Sequence, residues 1–468
     1  MLKEHNSLLN LSTEALQEVL KHMEANKRFE LAKRISLIET LEKSIPLKID
    51  VLIFGNLKIQ INDTEYKFGV YKKYDKKEET PEFVEFENSQ GGLPNDIDEF
   101  GFNDFSNEVV VEDGDVVLAD SEDWQELCDE QLERNEGERC NMRRIWIQRT
   151  IQDQEKQIAL LQSSEPQNHS KIQNLQQKLN ESKADLLPYQ YRDSGVTPYL
   201  PYTQLLITSP RGTHIERFEY TGNIQTAFRC LIAQFFGNRS HPIEVKRFEP
   251  NSMILRLPLG VKFQIEGLKF NYAVQKVYEN LKQVVEEYSY PLEYVEINGA
   301  ELKGEDLRNQ VIREAKEVVL SGILENNKWT PYLEKMENTR VHVKDGFEKE
   351  PIDDLYFIIC SWMNNGTFEK KLWTVKLNDE QSGDEILKKL ANDFYDEELR
   401  ENRYFKIPLD YTTDLEVSIA DGKSENRDSQ MMKLEILHKS FYIESVALSA
   451  RVIRKSMVFW NFFVCGYL

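Results

Sequence analysis

The chain lacks the features that mark most disulfide scaffolds, metal modules and membrane proteins. Its five cysteines, Cys128, Cys140, Cys230, Cys360 and Cys465, lie far apart with no C-x-x-C pair. An odd, scattered set reads as reduced thiols and points to a cytoplasmic or nuclear protein. No histidine stands at ligand spacing from them, so no metal site is assigned. Lys3, Glu4, Glu14, Glu18 and Lys21 leave no room near the start for a secretory apolar core. The apolar stretch Met457 to Leu468 is much shorter than the ~20 residues of a spanning helix. It is expected to form a strand or a docked tail, and no membrane partner is expected.

Phosphate-cradling glycine loops are missing too: there is neither G-x-x-x-x-G-K-[ST] nor G-x-G-x-x-G. H-E-x-x-H and G-x-S-x-G are likewise absent. The seven histidines stand isolated from one another. No catalytic or cofactor-binding residue is assigned, and the expectation is a protein that is not an enzyme. Positive charge is also short. Lys and Arg number 59 against 80 Asp and Glu, a net of −21, which argues against nucleic acid or an anionic membrane as partner.

What is present is apolar and aromatic content enough for packed cores, 40% and 11% of 468 residues, so two or three domains are expected. The acidic excess is local. Between Glu82 and Arg139 there are 20 acidic residues and two basic ones, so most of the chain's −21 lies there.

The organisation expected is mixed α/β. Residues 8–46 carry three short amphipathic helices, with Ser12 as a cap, Asn26 opening the second and Pro46 ending the third. Three such helices need a surface to pack on. Residues 47–81 form a β-meander, with Leu47, Ile49, Val51 and Ile53 alternating with polar residues and a turn at Asn62-Asp63. Residues 82–141 read as an acidic, loop-rich segment. Residues 142–187 read as a helical hairpin, striped by Ile147, Ile151, Ile158 and Leu161 and by Ile172, Leu175, Leu179 and Leu186. Residues 188–290 read as a mixed α/β region ending in a long helix, Tyr272 to Glu287.

Residues 291–400 carry a repeat. The triplets Val295-Glu296-Ile297, Val318-Val319-Leu320 and Val341-His342-Val343 recur every 23 residues. That spacing suits either a short leucine-rich-like solenoid or an ordinary α/β layer. In a solenoid, residues such as Glu296, Val319 and His342 would lie on or beside a target-binding strand face. A helix from Asp353 and a strand Leu372 to Leu377 would close the region, and 401–468 would form a tail with short strands. The run Asp96-Ile97-Asp98-Glu99-Phe100-Gly101 is a poor calcium loop, because Phe100 takes a ligand position, and is expected to be solvated. Trp362 and Trp373 are expected in a core.

The run Leu11-Ser12-Thr13-Glu14-Ala15-Leu16-Gln17-Glu18-Val19-Leu20 resembles an F-box, with Ser12 where that family carries proline. Met23, Phe29 and Leu31 continue its apolar pattern. The runs Asn26 to Ala32, Pro46 to Ile49, Ile61 to Tyr66, Phe235-Phe236-Gly237 and Leu255 to Pro258 resemble a nematode-expanded family of unknown function with that kind of N-terminus. The resemblance implies a substrate-recruiting adaptor of a cullin-based ubiquitin ligase. Leu11, Leu16, Val19, Leu20 and Leu31 would dock a Skp1-like linker subunit, and the rest of the chain would hold an unknown protein target. The alternative is a scaffold that binds a basic partner through its acidic segment, with the N-terminal helices only an internal cap.

Overall fold

The computed structural model describes residues 12–76, 80–118, 121–163, 169–271, 274–298, 306–322, 336–344, 352–365, 371–377, 380–394, 403–409, 411–421 and 430–438. The chain divides into two compact units, Met1–Lys349 and Glu350–Leu468, both mixed α/β. The division falls inside the expected 291–400 region.

The first unit opens with α1 (Thr13–His22), α2 (Ala25–Arg34) and α3 (Ser36–Lys43). Ser12 caps α1, its hydroxyl accepting from the Ala15 amide at 3.2 Å. Glu24, not Asn26, caps α2. Asn26 instead ties the helix to the sheet, donating to the Ile61 carbonyl at 2.9 Å and accepting from the Tyr66 hydroxyl at 3.0 Å. The meander follows as β1 (Lys48–Gly55), β2 (Lys58–Ile61) and β3 (Thr64–Tyr74). After α4 (Glu82–Ser89) come three two-residue strands, β4 (Asp96–Ile97), β5 (Asn103–Asp104) and β6 (Val116–Val117).

The acidic segment is not loop to its end. Ser121–Arg139 forms a helix, α5, built from Glu, Gln and Leu, which are good helix formers. Apolar periodicity misses it because few of its side chains are apolar. The hairpin follows as α6 (Asn141–Ser163) and α7 (His169–Ser194). Ile147, Ile151, Ile158 and Leu179 bury together with Phe102 and Tyr189, and Ile172, Leu175 and Leu186 pack against them. α7 runs on through Pro188, where the sequence suggests a boundary. Packing offsets the missing hydrogen bond there: Tyr189 is 1% exposed, edge-on to Phe102 at 4.8 Å.

The sheet continues with β7 (Tyr199–Ser209) and β8 (Gly212–Glu219), then α8 (Ile224–Phe236) leads to β9 (Ile243–Pro250). Next come β10 (Ile254–Leu255), β11 (Phe263–Phe270), α9 (Val274–Leu281), β12 (Tyr294–Asn298), α10 (Gln310–Glu314), β13 (Glu317–Ser321) and β14 (Arg340–Val343). α9 stops well short of Glu287 because the Phe263 amide captures the Val284 carbonyl at 2.8 Å. The strand order in this unit is β14-β13-β12-β11-β9-β1-β2-β3-β7-β8. The side from β1 to β8 is antiparallel, and the side from β1 through β9 to β14 is parallel.

Three adjacent parallel strands share a slip in apolar phase. Ile49, Val245 and Ile265 are buried at one level, and Leu52, Phe248 and Leu268 at the next, three residues on rather than two. Each strand thus changes phase beside Asp50, Lys246 and Glu266 while the register stays constant on both sides of that point. Lys246 pairs with Asp50 at 2.5 Å there. The simple alternation expected for Leu47, Ile49, Val51 and Ile53 is therefore corrected. Leu52 and Phe54 are the buried pair after Ile49, and Val51 and Ile53 are half-buried on the opposite face.

The 23-residue spacing is realised as register: Val295 pairs with Val318 and Val318 with Val341. These strands extend the sheet that β9 and β11 begin, so they form part of one α/β layer and not a separate leucine-rich stack.

The second unit contains α11 (Ile352–Asn365), β15 (Leu372–Leu377), α12 (Glu380–Phe394), β16 (Tyr404–Pro408), β17 (Thr413–Asp421) and β18 (Gln430–His438). Its strands run in the antiparallel order β16-β17-β18-β15. Trp362 and Trp373 meet edge to face at 4.7 Å, 6% and 1% exposed, as core residues. The apolar stretch from Met457 lies outside the described residues.

Candidate functional site

The N-terminal helices form a small core of their own. Leu20, Leu31, Ile38 and Ile45 are buried in it, and Leu16, Met23, Ile35 and Leu41 pack around them. Of the residues expected to dock a partner, Leu20 and Leu31 are therefore held inside the segment. Leu16 is half-buried, Val19 is 39% exposed, and Leu11 lies outside the described residues. Within α1 only Leu20 is buried.

α2 and α3 are fastened to the sheet layer through α8. Phe29 stacks on Phe235 at 4.4 Å. Glu42 accepts from Arg28 Nε at 3.0 Å and, through both oxygens, from Arg239 Nη2 at 3.0 Å. Arg28 also donates to the carbonyls of Glu42, Ile45 and Pro46. Burial pushes both guanidinium groups below their ordinary pKa, and the Glu42 charge opposes that. Sequence reading missed this cluster. Its members are 14 and 197 residues apart, and no short-range pattern joins them.

The strand register brings Glu296, Val319 and His342 into one row, with Lys269 beside Glu296. Glu296 is 4% exposed and pairs with Lys344 at 2.9 Å and Lys269 at 3.3 Å. Burial alone would raise its carboxyl, but Lys344, Lys269 and Arg247 together hold it below the usual range. Burial, partly opposed by Glu317, lowers the His342 imidazole.

Within the acidic segment the most buried carboxylates do structural work. Asp96, expected to be solvated, is 3% exposed and accepts from the Tyr220 hydroxyl at 2.9 Å and the Ile224 amide at 2.8 Å. Asp98 accepts from the Phe100 and Phe102 amides, both at 3.0 Å, and pairs with Arg139. Asp115 lies between Arg229 and Arg256. On α5, Glu126, Asp129, Glu130 and Glu133 lie together on one exposed face.

The molecule is thus a mixed α/β protein of two units whose first unit carries a fastened helical cap. Residues 223–379, from the cap of α8 to just past β15, match a domain of unknown function (DUF3557), and over that span the chain is similar to an uncharacterised family. No curated protein and no solved structure matches the chain. Among the described residues no helix is long and apolar enough to cross a membrane.

Proposed function

We propose that the chain is a protein-interaction adaptor of the cytoplasm or nucleus, with α1 as the element that docks a Skp1-like linker subunit of a ubiquitin ligase. The observation that carries this reading is the difference between neighbouring helices. α2 buries Ala25, Arg28, Phe29 and Leu31, whereas the amphipathic α1 buries Leu20 alone. An amphipathic helix that leaves part of its apolar side uncovered suits helix-in-groove recognition. Leu16 and Val19 would then contribute the docking contacts, while Leu20 and Leu31 hold the helices together.

The test is binding of the purified chain to the linker subunit, wild type against the double variant Leu16→Asp, Val19→Asp, with circular dichroism to confirm folding. The expected result is binding by wild type and at least about tenfold loss in the folded variant, about 1.4 kcal/mol or more. Absence of wild-type binding, or equal binding by the variant, sinks the reading.

A second reading, a scaffold for a basic partner, is favoured by the exposed acidic face of α5. It predicts affinity for a lysine-rich peptide that falls steeply with salt, because exposed pairs are screened over ~8 Å at physiological ionic strength.

A further inference from the structure

The parallel and antiparallel halves of the first unit's sheet meet at β1. The chain leaves β1 toward β2 on one side, and the strand entering beside it, β9, continues toward β11 on the other. Between the carboxyl ends of such diverging strands a crevice opens, the place where open α/β sheets bind ligands. Here it is a cavity of about 240 Å³. Gly55, Asn56 and Leu57 line it after β1, and Asn251, Ser252 and Met253 after β9. Its other walls come from Glu108 and Val109, from Gln131 of α5, and from Gln225 and Phe228 of α8. The β6–β10 pair lies beside it, joined by the Leu118 amide to the Met253 carbonyl at 2.8 Å. That volume is far above the ~10–15 Å³ one water needs and just below the ~300–1,000 Å³ of drug-sized clefts. A single ring is the size that fits.

The polar lining is mostly amide. Gln225 is 4% exposed, and its side chain lines the cavity. Gln131 is 7% exposed and only accepts a long bond, 3.4 Å, from Arg134. An amide that faces a cavity offers a donor and an acceptor to whatever fills it. The charges at the rim already have partners, Arg256 with Asp115 and Glu108 beside Arg134 and Arg256. Nothing there calls for a charged ligand. Leu57, Val109, Phe228, Met253 and Ile254 add apolar wall, which suits a ring better than a polyol. A carboxamide presents a donor and an acceptor side by side, and the matching edge carries an acceptor and a donor on adjacent positions.

We propose that this cavity binds an uncharged heterocycle of nucleobase size through the Gln225 amide, with Gln131 as a second contact. The test uses the full chain and ligand-observed NMR titration with cytosine and uracil, with glucose and inorganic phosphate as the polyol and anion arms. Gln225→Leu removes the amide and keeps the bulk, and Met253→Trp fills the cavity. The expected result is binding of at least one base by wild type, weakened at least tenfold in both variants. Both variants should keep the circular dichroism spectrum of the folded wild type. No base binding at millimolar concentration, equal binding by Gln225→Leu, or stronger binding of glucose or phosphate overturns the proposal.

Discussion

Arg28 and Glu42 form an ion pair at 2.9 Å with only 1% and 2% of their side chains exposed. Arg239 shares the same carboxylate, so one anion is set between two buried cations. Removing the shared partner of a buried pair leaves charge uncompensated and costs about 3–5 kcal/mol. Glu42→Ala should lower the denaturation free energy by at least that range, measured by urea unfolding. A loss below about 1 kcal/mol, typical of exposed pairs, would show that water reaches the cluster.

The Asp96 carboxyl gives a pH signature. Burial raises its pKa above the ordinary 3.8, although bonds from Asn107, Ile224 and Tyr220 oppose the rise. A carboxyl that binds its proton more tightly when folded contributes stability that is full below the unfolded value and lost as pH rises through the folded one. Asp96→Asn escapes that loss. The melting temperature of Asp96→Asn minus that of wild type should therefore grow as pH rises above about 4. A flat or falling difference would mean that the bonds to the charged form outweigh burial.

Gly69 marks a close approach of backbones. A Cβ there would lie 2.2 Å from the Gly91 carbonyl oxygen, where Val70 and Leu93 exchange hydrogen bonds of 2.8 and 3.0 Å. Gly69→Ala should destabilise by about 1–3 kcal/mol through overpacking. Gly137 in α5 has nothing within 4 Å of its added Cβ, so Gly137→Ala should stabilise by about 0.5–1 kcal/mol. Urea midpoints of the two variants should move in opposite directions, and movement in the same direction would contradict these environments.

The helical hairpin was legible because its stripes are dense: Ile147, Ile151 and Ile158 recur at helical spacing and are the residues that bury. The register of β12, β13 and β14 was legible for the same reason, since a constant 23-residue repeat keeps equivalent residues opposite one another. α5 was not legible, because its charged residues form helix without an apolar stripe. The candidate docking residues were legible as an amphipathic pattern. The pattern alone did not say that Leu20 and Leu31 would close on each other while Val19 stayed exposed.

By itself the sequence determined the local elements. The Ser12 cap, the turn at Asn62-Asp63 and the strand Leu372–Leu377 depend on groups within a few residues of one another. Tertiary structure decided everything that depends on distant partners. The phase slip shared by β1, β9 and β11 needs three strands side by side. The burial of Arg28 needs Arg239 and Glu42 at one point, and the cavity beyond β1 and β9 needs walls from residues 55 to 256. Periodicity reports which face of an element is apolar; only packing decides which polar groups that face will enclose.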